Sequence, residues 1–420
     1  MTPTNRARLA LVVATAACGA AVALAGCGTS SARGDKIGGE RLTIYASVPL
    51  HGASSVGGMA VLRGAELALD SVHARVGSYR IAFKDLDDST VQSGGWDPGQ
   101  TTANARLAIL DKTTIGYIGE YNSGASAVSI PLLNRTGIPQ ISPSSTAVGL
   151  TAGGPQAGPG EPGKYYPTGR RTFARVVPSD AVQASVLARL ARSSGCSRTY
   201  VLDDDEVDGR DLAESFQVAA RAAGLTVVGS QEFEPKATDF SSLATSVAQS
   251  GADCVVLGAI TKDNVALATR QVAAALPQAK FFGSAGLAQS TFVNPALGGI
   301  PLSLDARVLI TVATLDPAAY PPPGRRFFAL YERRYGAPQP YAIFGYEAMS
   351  LMLDAIARAT RDGNSAALRS NVLDAIFATR DRRSVLGAYS IDGDGDTTLA
   401  RYGVYTVGNG QLHFWKAMRG

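Results

Sequence analysis

Two short segments rich in hydroxyl side chains are the clearest candidates for chemistry in this sequence. One contains Asn122 and Ser123, and the other contains Ser144 and Thr146. Each follows a short apolar run typical of a buried strand, and Ser123 precedes a segment with helical spacing. A serine at a helix start, together with the free N–H groups beside it, can receive a carboxylate. The same geometry also serves helix capping, and the two roles are compatible.

Side chains suited to catalysis are scarce. The 420 residues include only three histidines, and the chain has no Gly-x-Ser-x-Gly, Walker or HExxH motif. A Gly-x-Gly-x-x-Gly match at 158–163 contains prolines and follows no strand, so it does not indicate a dinucleotide site. Asp392, Asp394 and Asp396 resemble the start of a calcium loop, but its last position is Gly403, so a plain turn is expected. We therefore expect no enzymatic activity, no metal and no cofactor.

The composition indicates a globular protein and gives no sign of nucleic-acid binding. Apolar residues make up 45% of the chain and charged residues 18%, which excludes disorder and provides for a large core. The formal net charge is only +4, and part of it lies near the N-terminus. A nearly neutral body has little attraction for nucleic acid. The length of 420 residues exceeds that of one ordinary domain and suggests two lobes.

The N-terminus has the pattern of a bacterial secretory leader. Two arginines precede an apolar run at 9–26, which ends in Leu-Ala-Gly-Cys at Cys27. This ending resembles the lipoprotein cleavage box, in which the cysteine thiol receives a diacylglyceryl group. We predict a signal peptide at 1–26, lipidation of Cys27 and a flexible tether at 27–41, on the extracytoplasmic face of the membrane. The alternative is a membrane-spanning helix, for which the run is marginally short.

Strand-like and helix-like segments alternate through the body of the chain. Strands are predicted at 42–48, 79–85, 114–119, 138–142, 199–203, 225–233, 254–258 and 280–283, and short strands with turns within 388–415. Helices are predicted at 58–73, 101–110, 126–134, 181–192, 211–223, 240–250, 263–275, 325–335, 342–359 and 366–378. This alternation predicts an α/β fold with parallel sheets covered on both faces. Because it pauses at the Gly- and Pro-rich 151–169 and then resumes, we expect two doubly wound lobes.

Five segments carry a family resemblance through their order and spacing rather than through any single motif. They are Pro-Leu-His-Gly at 49–52, Gly-Glu-Tyr-Asn-Ser-Gly-Ala-Ser at 119–126, Gly-Ile-Pro-Gln-Ile-Ser-Pro-Ser-Ser-Thr at 137–146, Thr-Phe-Ala-Arg at 172–175 and Gly-Tyr-Glu-Ala at 345–348. Together they resemble the leucine/isoleucine/valine-binding type of solute-binding protein of ABC importers, the type I periplasmic binding proteins. One departure is an enlarged loop at 93–98.

The resemblance implies an architecture and a function. Two lobes would be joined by a multi-strand hinge. The first lobe would comprise residues 42–175 and 312–387, and the second lobe residues 176–311 and 388–420. They would close on an amino acid or a related carboxylate or amide, and deliver it to the permease and ATPase subunits of an ABC importer. A ligand-sensing receptor of the same fold, without transport, is the alternative.

The resemblance also implies site residues in the first lobe. Positions matching Ser123, Ser144 and Thr146 bind the α-carboxylate and α-amino groups of an amino acid in the family. Asn122 belongs to the same segment. A bulky side chain near the first strand is replaced by Gly57, which is expected to leave extra room for the ligand.

The second lobe departs from the family pattern. Ala285 stands where relatives place a glutamate for the ammonium group, and Ile260 or Thr261 stands where they often have an aromatic residue. Asp208 is a candidate substitute counter-ion, with a solvated helix cap as the alternative. We expect leucine to bind poorly, because an unpaired buried ammonium group is costly.

The two cysteines of the body are predicted to form a disulfide. Cys196 lies just before one predicted strand, and Cys254 begins another. In a doubly wound order these strands are neighbours, about 4.8 Å apart, which is close to the Cα separation of a disulfide. Thiols outside the cytoplasm tend to oxidise, although two buried free thiols are the alternative.

Overall fold

The computed structural model describes residues 35–420, which form two α/β lobes. The predicted signal peptide at 1–26, the lipidation site Cys27 and the first part of the tether lie outside the described residues. In the region that the structure describes, no helix has the length and apolar character needed to cross a membrane.

The elements of the described region alternate much as the sequence predicts. The strands are β1 (Arg41–Val48), β2 (Arg75–Val76), β3 (Tyr79–Asp87), β4 (Ser89–Thr90), β5 (Gly95–Trp96), β6 (Thr114–Ile118), β7 (Gln140–Ser142), β8 (Phe173–Arg175), β9 (Arg198–Asp203), β10 (Thr226–Glu232), β11 (Cys254–Gly258), β12 (Lys280–Gly283), β13 (Val308–Val312), β14 (Arg382–Ser384), β15 (Gly387–Tyr389), β16 (Arg401–Gly408) and β17 (Gln411–Arg419). The helices are α1 (Ser55–Ser71), α2 (Pro98–Leu110), α3 (Ser123–Asn134), α4 (Asp180–Ser193), α5 (Val207–Ala222), α6 (Ser241–Gln249), α7 (Val265–Ala275), α8 (Ser290–Val293), α9 (Pro322–Tyr335), α10 (Ala342–Thr360) and α11 (Arg369–Phe377).

The first lobe is built on a six-stranded sheet with the order β2-β3-β1-β6-β7-β8. Its strands pair in parallel except for the short β2. Helix α10 comes from much later in the chain and packs on α1 of this lobe. A Cβ atom on Gly64 would lie 2.0 Å from the Ala342 carbonyl oxygen, and one on Gly345 would lie 2.2 Å from that of Val61. Glycine at both positions therefore permits this close helix packing.

The second lobe is built on a seven-stranded sheet with the order β10-β9-β11-β12-β13-β16-β17. The strands from β10 to β13 are parallel, while β16 and β17 form an antiparallel extension. β11 lies in the middle of the parallel part and is buried along its whole length, which explains its continuous apolar sequence.

The chain crosses between the lobes after β8, after β13 and before β16. Arg175, at the end of β8, is fully buried and ties two of these crossings together. Its Nε donates to Asp396 Oδ1 at 2.7 Å, and its backbone N–H donates to the Gly395 carbonyl at 2.9 Å. The predicted fold class, two doubly wound lobes with a multi-strand hinge, is confirmed.

Several bounds differ from those expected. Helix α5 begins at Val207 rather than at 211, because Glu206 adopts the extended conformation that starts a helix. As a result, Asp208 lies in the first helical turn. The strands β8 and β13 were not expected, and the loop at 93–98 contributes β5, which pairs with β4 in a small hairpin.

Cys196 and Cys254 are joined in a disulfide, with Cα atoms 6.0 Å apart. Cys254 begins β11, which pairs directly with β9, and Cys196 lies just before β9. Both cysteines are buried, so the bond fastens neighbouring strands of the second lobe from inside the core.

Candidate ligand-binding site

A small cavity lies between the lobes, where the carboxyl ends of strands from both sheets face each other. In open α/β sheets this is the edge at which ligands bind. The cavity encloses about 20 Å³, enough for one or two water molecules, so the lobes are closed upon each other. Its lining residues are Ser54, Tyr121, Asn122, Ser144, Thr146, Asp208, Ile260, Ala285, Gly286, Gln289 and Tyr341.

The structure brings the expected site residues together in this cleft. Asn122, Ser144 and Thr146 form the first-lobe wall, opposite the second-lobe residues Asp208, Ile260 and Ala285. The lining side chains that were not anticipated include those of Tyr121, Gln289 and Tyr341.

Ser123 lies just behind the cavity wall and reaches it through Asp208. The Ser123 hydroxyl donates to Asp208 Oδ1 at 2.8 Å, and the Thr146 hydroxyl donates to the same oxygen at 3.0 Å. Ser123 Oγ also accepts the backbone N–H groups of Thr146 and Ala147, at 3.1 and 3.2 Å. Ser123 therefore both shapes the neighbouring loop and binds the opposite lobe.

Other hydroxyls of the first lobe hold its two loops together. Ser144 Oγ donates to the Tyr121 carbonyl at 2.8 Å, and the Ser126 and Ser145 hydroxyl oxygens are 2.8 Å apart. Ser142 Oγ donates to the Glu120 carbonyl at 2.8 Å. Because these groups are buried and paired, much of the hydroxyl-rich sequence maintains loop structure.

The second lobe approaches the first through acidic side chains of α5. Asp208 lies in its first turn and is partly buried. One turn later, Asp211 accepts the backbone N–H groups of Val148 and Gly149, at 2.9 and 3.2 Å. The solvated position considered for Asp208 is excluded, because its carboxylate faces the first lobe and accepts two hydrogen bonds there.

Burial shapes the electrostatics of this contact. It raises the pKa of Asp208, against the lowering effect of the hydrogen bonds from Ser123 and Thr146. Burial also raises the pKa of Asp211 to about 7, against its backbone hydrogen bonds and the Arg175 guanidinium. The contact between the lobes is therefore sensitive to protonation near neutral pH.

The remaining second-lobe positions support the cleft wall. The Ile260 N–H donates to Asp204 Oδ2 at 2.6 Å, which fixes the loop after β11. Gln289 Nε2 donates to the Tyr121 hydroxyl across the cleft at 3.3 Å. Ala285 is buried in the wall and offers no charge.

Gly57 does not leave the extra room that was expected. A Cβ atom there would lie 2.2 Å from the Tyr121 hydroxyl oxygen, so the phenol already occupies that space. The Tyr121 ring also meets the Tyr341 ring edge-on, with centroids 5.7 Å apart. That expectation was wrong because Tyr121, which the sequence places directly before the hydroxyl segment, folds back over the glycine.

The enlarged loop of the first lobe reaches the second lobe at the edge of the cleft. Lys262 Nζ lies 5.3 Å from the Trp96 ring centroid and 2.7 Å from Glu206 Oε1. A Cβ atom on Gly124 would lie 2.4 Å from the Trp96 ring, so the indole packs tightly against the start of α3.

Comparison with known proteins identifies the family. Residues 42–411 match the periplasmic binding protein family. The chain belongs to this family. Its members are binding proteins rather than enzymes and act outside the cytoplasm, in agreement with the expected absence of catalysis.

Relatives of this periplasmic binding protein match it over most of its length. It is 24% identical over 374 residues to Leu/Ile/Val-binding protein homolog 3 of Brucella melitensis, covering 88% of this chain and 92% of the relative. The leucine-binding protein LivK of Thermotoga maritima superposes with a TM-score of 0.76 at 22% identity, covering 90% of this chain and 99% of LivK. A Rhodopseudomonas palustris solute-binding protein in complex with 4-hydroxybenzoate has a TM-score of 0.72 at 15% identity, and the match covers 90% of this chain and 97% of that protein. The two structural likenesses show a shared fold.

Proposed function

We propose that this protein captures a small polar ligand between its lobes and delivers it to the permease and ATPase subunits of an ABC importer. The observation that carries the proposal is the meeting of Asp208 with Ser123 and Thr146 at a cavity between the lobes. The lobes proposed to move are 42–175 with 312–387, and 176–311 with 388–420. The names of the relatives, among them Leu/Ile/Val-binding proteins, support an amino acid or a related polar compound.

Closure is the step that couples binding to delivery. A ligand can shift a two-state hinge equilibrium only if it binds the closed state more tightly than the open state. A cleft lined from both lobes meets this requirement, since only the closed form offers both walls. The permease then recognises the closed surface.

Ligand capture is tested on protein purified without unfolding. Native mass spectrometry is expected to find a small molecule bound one to one, and its removal is expected to increase the radius of gyration in X-ray scattering. Restored compaction on adding back the molecule completes the test. A protein that carries no small molecule and never changes its dimensions would contradict ligand capture. Uptake of the identified compound by cells with and without the chain separates transport from sensing.

The proposed lipid anchor at Cys27 has its own test. Cys27→Ser removes the thiol that would receive the lipid, so the protein is expected to be released or to remain an uncleaved precursor. Membrane fractionation with intact-mass measurement reports both outcomes, and Cys18→Ser is the matched control. Unchanged retention at the mass of the unlipidated, processed chain would contradict the anchor.

A further inference from the structure

The hydroxyl groups expected to receive a ligand carboxylate already bind a carboxylate of the protein. Ser123 and Thr146 each have one hydroxyl hydrogen, and both donate it to Asp208 Oδ1. A ligand carboxylate would have to displace Asp208 from these donors. Two carboxylates would then share one poorly solvated site, which is unfavourable unless a cation joins them.

Within residues 35–420, no cation is placed to compensate a second carboxylate. Among the described residues that line the cavity, Asp208 alone carries a charge. The buried Arg175 behind the cleft is engaged by Asp396, the Ala147 carbonyl and Thr151 Oγ1, at 2.7 to 2.8 Å. Lys262 is paired with Glu206 at the edge of the cleft. An anionic group in the cavity would therefore lack an available positive partner.

Further acidic groups lie behind Asp208. The carboxylates of Asp180 and Asp211 both interact electrostatically with it. Asp180 is about 1% exposed, and its Oδ2 has no hydrogen-bond partner in the described part of the chain. This side of the cleft is thus rich in carboxyl groups and in hydrogen-bond acceptors.

The remaining features of the cavity suit a positive charge. Asp208 Oδ2 makes no hydrogen bond within the described region, and Asp208 lines the cavity. Tyr121 and Tyr341 line the same cavity, and the electron-rich faces of tyrosine rings attract cations. A charged nitrogen at Oδ2 would not compete with Ser123 and Thr146, whose hydroxyls both donate to Oδ1.

We propose that the ligand is an organic cation, an amine or amidine, whose charged nitrogen binds Asp208 and which has no free carboxylate at that end. This inference rests on the proposed capture function and names its substrate class. It assigns Asp208 as the specificity-determining residue and Ser123 and Thr146 as the residues that position it. Ala285, in the same wall, carries no charge, so the counter-ion comes from α5.

The experiment compares amines with the amino acids from which they differ by one carboxylate. The pairs are 3-methylbutylamine and leucine, agmatine and arginine, tyramine and tyrosine, and putrescine and ornithine. Full-length protein in detergent is unfolded, refolded to strip bound ligand, and titrated by calorimetry. At least one amine is expected to bind, and to bind about tenfold or more tightly than its parent.

Two variants distinguish loss of the Asp208 charge from general effects on folding. Asp208→Asn keeps the size and hydrogen-bond acceptor but removes the charge, so amine affinity is expected to fall by about tenfold or more. The matched control is Asp205→Asn, in an exposed residue just before α5 that pairs with Arg210. Circular dichroism and melting temperature establish that both variants are folded.

Three results would overturn the inference. They are an amino acid or simple carboxylate that binds more tightly than its amine, the absence of binding by every amine, and an amine affinity unaffected by Asp208→Asn. An acid that binds and compacts the lobes would refute the cation while leaving the proposed capture function intact. Failure of the capture function is distinct, since it requires that no compound binds or changes the dimensions of the protein.

Discussion

Asp208 and Ser123 together determine how the lobes meet at the cleft. Ser123 accepts two backbone N–H groups of its own lobe and donates to Asp208 of the other. The Thr146 hydroxyl donates to Asp208, and its oxygen accepts no backbone N–H group among the described residues. The two hydroxyls thus have unequal structural roles even though they share an acceptor.

This inequality predicts different costs for removing each hydroxyl. Ser123→Ala leaves two buried N–H groups without an acceptor and is expected to lower the free energy of unfolding by about 2–3 kcal/mol. Thr146→Val removes one donor and is expected to cost about 1 kcal/mol. Urea denaturation measures both, with the exposed Ser230→Ala as control. Equal losses for the two variants would contradict the dual role of Ser123.

Protonation of Asp211 predicts a pH dependence of stability. Its pKa rises from 3.8 in the unfolded chain to about 7 in the fold, mainly through burial. The folded state therefore binds more protons between these values, and stability falls as the pH rises from about 4 to 7. The raised pKa values of Asp180, Asp208 and Glu120 act in the same direction.

Denaturation of the wild type and Asp211→Asn from pH 4 to pH 8 measures this contribution. The variant cannot ionise at this position, so its free energy of unfolding is expected to decline less steeply over the interval. Asp205→Asn serves as the exposed control and is expected to retain the wild-type slope. Identical slopes for wild type and Asp211→Asn would show that the carboxyl group does not titrate in this range.

At the scale of elements, the disulfide joins β9 to β11 from within the second-lobe core. Because its loop spans 58 residues, the chain-entropy relation gives a contribution of about 4 kcal/mol. The double variant Cys196→Ser, Cys254→Ser is expected to lose about 2–4 kcal/mol of unfolding free energy, and the wild type to lose a similar amount in reductant. Non-reducing peptide mapping checks the bond directly. Free alkylation of both thiols after denaturation would exclude it.

The sequence predicts long, periodic elements better than short ones. The central strands, including β11 and β12, match their expected bounds because continuous apolar runs dictate buried parallel strands. The three-residue β8 is too short to show the alternation of a strand. β13 was missed because it follows an irregular segment rather than a predicted helix. The start of α5 depends on the backbone conformation of Glu206, which apolar spacing does not reveal.

The residues of the candidate site likewise include some that the sequence predicts and some that only tertiary packing brings to the cleft. Hydroxyl segments after strands are visible in the sequence, so Ser123, Ser144 and Thr146 could be placed at the cleft. Gln289 and Tyr341 could not, because neither belongs to a hydroxyl-rich segment directly after a strand, and only tertiary packing brings them to the cleft. The space beside Gly57 was misjudged, since only tertiary packing shows that Tyr121 fills it.

On the scale of the whole molecule, the enlarged loop at 93–98, which contains Trp96, offers a way to observe closure of the lobes. The chain has two tryptophans, and Trp415 is 52% exposed in β17. Trp415→Phe therefore leaves Trp96 as the only indole, positioned against Lys262 of the opposite lobe. Its fluorescence then reports the separation of the lobes.

In that background, Lys262→Ala is expected to loosen the contact between the lobes. Acrylamide quenching of Trp96 should increase and the radius of gyration should grow, because the cation facing the indole and its ion pair with Glu206 are lost. Lys236→Ala removes an exposed lysine of the same lobe and is the control. Unchanged quenching in Lys262→Ala would mean that this residue does not hold the loop.

The interleaving of the two sheets governs the order in which the protein is completed during synthesis. β13 has an unpaired edge until β16 emerges from the ribosome, although the parallel strands beside it were made long before. The first lobe likewise waits for α10 to cover α1. Neither lobe can thus mature as an independent N-terminal unit, and the nascent chain keeps exposed apolar surface until nearly the whole sequence is available. For a protein that is exported, this delay favours passage through the membrane before folding.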